Sequence, residues 1–133
     1  MTDRKETIVL RTERGASALP LLRVVVSSVA SRRNLMMDQI DDLQLAIEAL
    51  LAEEPEDGGE LVLEIWPDGD GLSIRLDGLV NENVKAALLA AAPLQPREGW
   101  FLDVRVMLES LVDAFSVLEN AEGSFAVHLA KQA

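Results

Sequence analysis

The sequence predicts an α+β fold, a two-layer sandwich in which a mixed, mainly antiparallel sheet of about five strands carries helices on one face. Three observations predict it. β-branched and apolar segments pair around turn sequences as hairpins. Other segments repeat apolar residues every three and four positions, giving helices with one apolar stripe. Aromatics are only 4% of the chain, so Leu, Val, Ile and Ala must fill the core, which suits striped helices laid on a sheet.

Thr7-Ile8-Val9-Leu10-Arg11-Thr12 reads as a strand, and Glu13-Arg14-Gly15 as a turn. Ser17 is the expected cap of the first helix, with Pro20 tolerated in its first turn. Leu22, Val25, Val26 and Val29 form its stripe. Ser31-Arg32-Arg33-Asn34 closes it with cations where the macrodipole favours them. Asp38 is the expected cap of a second helix striped by Ile40, Leu43, Ile47, Leu50 and Leu51. That helix should end near Glu53, because Glu54 precedes Pro55.

The run from Glu53 to Glu60 reads first as a solvated loop, with contact to a basic partner as the alternative. Leu61 to Trp66 and Leu72 to Leu76 are strands around Pro67-Asp68-Gly69-Asp70-Gly71. This turn shares its spacing with the start of a calcium loop but lacks the downstream acidic ligands, so a hairpin is the better reading. Asn83 to Ala92 is a short helix, broken by Pro93 to Gly99. Phe101, Val104, Leu108, Leu111, Val112 and Phe115 stripe a last helix. Ser116 to Leu118 and Ser124 to Leu129 form a closing hairpin.

With 133 residues and no dividing linker, the chain reads as one domain spanning 1–133. A formal charge of -11 disfavours phosphate backbones, so no nucleic-acid partner is expected. No apolar run is long enough for a membrane span, the polar N-terminus lacks a leader core, and cysteine is absent, so a cytoplasmic protein is expected. His128 is the single histidine, and alternation sends it to the sheet face opposite Phe125, Val127 and Leu129. Trp66 and Trp100 read as packing residues before partner anchors.

In order and in residues, the chain resembles the histidine-kinase-like (GHKL, Bergerat-fold) ATPases, most of all the anti-sigma-factor serine kinases. Asp41-Asp42-Leu43-Gln44-Leu45-Ala46-Ile47, Leu72 to Asp77 and Leu111-Val112-Asp113-Ala114-Phe115 carry the likeness. The family's second helix reads D-L-x-L-A-[VI]-x-E-A-x-x-N, its Glu orienting the attacking group and its Asn holding magnesium. Here the Glu position is Ala49 and the Asn position is Glu53. Glu48 is one step away, about 100° around the helix.

The family's adenine-reading D-x-G-x-G corresponds to Asp77-Gly78-Leu79-Val80-Asn81, which keeps the Asp, moves one Gly and loses the other. Its glycine-rich lid corresponds to Arg97 to Asp103, with Gly99 alone among bulky residues and with Glu98 and Asp103 opposing phosphate.

The resemblance therefore implies a vestigial nucleotide site at Asp77, Gly78, Glu53 and Gly99, with no catalytic residue, no metal and no cofactor. It implies a regulator that binds a sigma factor or a STAS-type anti-anti-sigma partner, and a homodimer. The alternative is an ATP-dependent serine/threonine kinase acting on the anti-anti-sigma partner. It would use ATP and Mg, with Asp77 on adenine and Glu48 or Glu53 near the metal.

Overall fold

The computed structural model describes residues 6–90, 102–120 and 122–133. Elements follow in the order β1 (Ile8–Glu13), α1 (Ala18–Ala30), α2 (Met37–Leu51), β2 (Glu60–Asp68), β3 (Gly71–Leu79), α3 (Glu82–Leu89), α4 (Leu102–Leu111), β4 (Ala114–Glu119) and β5 (Phe125–Lys131). The five strands form one sheet in the order β1-β2-β3-β5-β4. The expected mixed pattern resolves to antiparallel at every pair described. Among the described residues no helix is long and apolar enough to cross a membrane.

Alternation decides which sheet face meets the helices. Leu61, Leu63 and Ile65 of β2, Leu72, Ile74 and Leu76 of β3, and Phe125, Val127 and Leu129 of β5 join one core. Leu22, Val26, Leu43, Ile47, Leu50, Val84, Leu88, Val104 and Leu108 bring all four helices to that same core. The helices therefore cover one face. The other face carries Val62, Glu64 and Trp66, then Ser73, Arg75 and Asp77, then Ala126 and His128.

Several local expectations are corrected. Ser17 flanks α1 but makes no side-chain cap, because its own backbone is already helical (φ -87°, ψ -7°). Met36, not Asp38, is the N-cap of α2, since the Gln39 side chain reaches back to accept the Met36 N–H at 2.7 Å. Asp38 keeps its favourable place in the first turn. Arg32 and Arg33 lie past the end of α1, whose last turn holds no cation, and Arg33 donates to the Gly69 carbonyl at 3.1 Å.

Phe115 is not helical. α4 stops at Leu111, and Phe115 pairs with Leu129 in β4. Residues 112 and 115 fit a helical stripe, while 115 and 117 fit strand alternation, and the sheet edge wins. The turn Asp68 to Gly71 is a hairpin with Gly69 at φ +61°. Asp68 there accepts the Ser73 hydroxyl at 2.7 Å.

Gly78 controls the end of β3. The register shifts between Asp77 and Leu79, so one residue is extruded as a bulge. That is how Leu76 and Leu79, three apart, both point into the core. Gly78 sits at φ +98°, and a Cβ there would lie 2.2 Å from the Glu60 carbonyl oxygen. Gly78→Ala should therefore destabilise the protein by about 2–4 kcal/mol through backbone strain and overlap. Urea unfolding measures this, and an unchanged midpoint would show that the bulge relaxes freely.

Candidate functional site

Two of the positions that the resemblance matches to a nucleotide site, Ala49 and Asp77, lie on opposite faces of the sheet. Ala49 is buried in the last turn of α2, within the helix layer. Asp77 follows the inward Leu76 on β3 and so lies on the helix-free face of the sheet. The sheet itself separates the two.

The Asp77 carboxylate accepts the Asn120 amide at 2.7 Å and the Gly78 N–H at 2.7 Å, and pairs loosely with Arg75 at 3.4 Å. Gly78 uses its missing Cβ to approach the Glu60 backbone, so the close approach expected for a ligand is occupied by the neighbouring strand. Glu48 is half-buried and forms an ion pair with Arg23 on α1. Glu53 lies just beyond α2 with its side chain exposed, while its carbonyl accepts the Asn81 amide at 2.8 Å. Gly99, Glu98 and Trp100 lie outside the described residues.

A different polar centre does assemble, and the sequence did not announce it. Arg14, directly after β1, and Glu54, in the α2–β2 loop, form an ion pair at 2.8 Å with side chains only 6% and 2% exposed. Arg14 also donates from Nε to the Gly58 carbonyl at 2.8 Å and from Nη2 to the Gly78 carbonyl at 2.6 Å. Glu54 accepts the Val80 N–H at 3.0 Å and the Asn81 N–H at 2.9 Å. Asn81 in turn caps α3, accepting the Asn83 and Val84 N–H groups at 3.0 Å.

The expected solvated run from Glu53 to Glu60 is thus corrected at Glu54, whose carboxylate is enclosed by donors. Glu60 opens β2 and pairs with Arg11 at 3.3 Å on the surface. The only hint of a special role is that Glu54 directly precedes Pro55, which fixes the chain as it leaves the helix.

Beside this centre lies a cleft of about 800 Å³ between the start of α1, the end of α2 and the loop at 54–57. A smaller one of about 390 Å³ on the opposite face is lined by Asp77, Asn120 and Ser124. Trp66 is buried and stacks on His128 with ring centroids 5.5 Å apart and planes 9° from parallel, a packing role on the helix-free face. Lys85 of α3 binds Glu119 on the edge strand β4 at 2.7 Å. That hydrogen bond and the adjacent charge raise the Lys85 pKa. Lys85 therefore stays protonated through neutral pH, and its share of the contact is lost as the pH rises through the raised pKa.

No protein-family model matches this chain, and no curated protein matches it significantly. The geometry must speak for itself.

A buried pair whose carboxylate also holds two backbone N–H groups leaves an uncompensated guanidinium when it is broken. Glu54→Gln should cost about 3–5 kcal/mol. Glu56→Gln, on the exposed lip, should stay within about 0.5 kcal/mol. Parallel urea titrations decide, and equal effects would refute the role given to Glu54.

Proposed function

We propose that this protein is a non-catalytic regulator acting by protein–protein binding, in the manner of an anti-sigma factor that has lost ATP binding. The observation that carries the reading is the fate of the family's polar positions. Ala49 has no functional group, and Asp77 lies on the far side of the sheet from it. Glu48 is committed to Arg23, and Gly78 to the Glu60 backbone and Arg14. Catalysis by phosphoryl transfer is almost wholly positioning and charge stabilisation, so dispersing these groups removes its basis.

The partner in this reading is a sigma factor or a STAS-type anti-anti-sigma domain. The site of action is the cytoplasm, and a homodimer is the working form. Neither ATP nor magnesium takes part. The net charge of -11 favours basic partner surfaces and fast encounter with them.

Capture from the native host on the immobilised full chain tests the proposal. Stoichiometric enrichment of a sigma factor or a STAS-type protein, retained in buffer lacking nucleotide, is expected. Retention that requires Mg-ATP, or release of a phosphorylated partner, would overturn the non-catalytic reading. Recovery of neither class would overturn the partner assignment.

A further inference from the structure

The 800 Å³ cleft falls within the size range of natural binding sites, roughly 300–1,000 Å³. Its walls are aliphatic: Leu19 of α1, Leu51 at the end of α2 and Pro55 of the loop, over the fully buried Leu61. Its polar floor is the Arg14–Glu54 pair. Glu54 and three of the Arg14 donors are already satisfied within the fold.

The lip is different. Glu56 and Asp57 line the cleft, are exposed, and make no ion pair among the described residues. Glu48, the other carboxylate at the mouth, is balanced by Arg23. Among the described residues the lining has a single cation, Arg14, and it is buried against Glu54. A concave apolar surface with unbalanced carboxylates on one lip focuses a negative field where a ligand would enter.

The lip is also fixed in place. Glu54 anchors its start through three donors, and Arg14 binds the Gly58 and Gly59 carbonyls at its end. The cleft is therefore preformed, and little ordering is needed on binding.

We infer that this cleft docks a basic segment of a partner protein, which inserts one aliphatic or aromatic side chain among Leu19, Leu51 and Pro55 and sets Lys or Arg against Glu56 and Asp57. The inference deepens the protein-binding reading above and rests on it. Shape and apolar lining require an anchor side chain, and the unbalanced lip requires positive charge. A simple polycation would satisfy only the second requirement.

The test uses the isotope-labelled full chain and a short synthetic peptide with one leucine flanked by lysines. Amide shifts should concentrate on Gly15 to Leu19 and Leu51 to Asp57. Replacing the leucine by serine should weaken binding roughly tenfold, as loss of one buried aliphatic side chain implies. The double variant Glu56→Lys/Asp57→Lys should weaken it by roughly tenfold or more at low salt while keeping the melting temperature.

Shifts scattered over the acidic surface, equal binding of the serine peptide or of spermine, or an unaffected double variant would overturn the inference. The captured partner separates this failure from that of the wider reading. A partner held equally by the wild type and the double variant removes the cleft but leaves regulation by protein binding intact. Peptide binding in the cleft without any captured sigma factor or STAS-type protein removes that partner assignment instead.

Discussion

The buried contact between Arg14 and Glu54 is the constraint on which the upper end of this molecule depends. It joins three connections that are distant in sequence: the turn from β1 to α1, the loop from α2 to β2, and the turn from β3 to α3. Two charges taken out of water are tolerated only when nearly every lone pair and donor finds a partner. Here the carboxylate gathers one guanidinium and two backbone N–H groups, and the guanidinium gathers two carbonyls besides. The same pair sets the position of the acidic lip and of the α3 cap, so local electrostatics, loop shape and the adjoining cleft form one unit.

The Gly78 bulge complements this unit. Extruding one residue lets Leu76 and Leu79 both enter the core, and it aims the Gly78 carbonyl at Arg14. An Asp-Gly pair at a strand end looks like nucleotide chemistry in a linear sequence. In three dimensions its glycine serves strand packing and its aspartate faces Asn120 across the helix-free surface. The polar residues that the proposed reading matches to a nucleotide site thus have structural work here.

Much of the architecture was legible in the sequence, because periodicity reports burial directly. The stripe from Ile40 to Leu50 marked one helix face, and the apolar run from Leu61 to Trp66 marked a strand. The misses have physical causes. Phe115 satisfies both helical and strand spacing, so periodicity alone could not place it. Ser17 and Asp38 are good capping residue types, but capping depends on backbone angles that composition does not reveal. Arg14 and Glu54 are forty positions apart, and apart from the Pro55 that follows Glu54 nothing local separates this buried Glu from its exposed neighbours Glu53 and Glu56. Whether Asp77 and Ala49 share a site depends on the phase of β3 against the helix layer, which is settled only by folding.

The proposed reading is of a protein that lacks the groups needed to hold a nucleotide. Thermal unfolding of the full chain with and without millimolar Mg-ATP addresses it most directly. A ligand present at a hundredfold excess over its Kd stabilises by about 2.7 kcal/mol, which in a domain of this size is roughly 10 °C in Tm. The account predicts coincident melting curves, whereas a saturable upward shift of several degrees that requires both ATP and magnesium would contradict it.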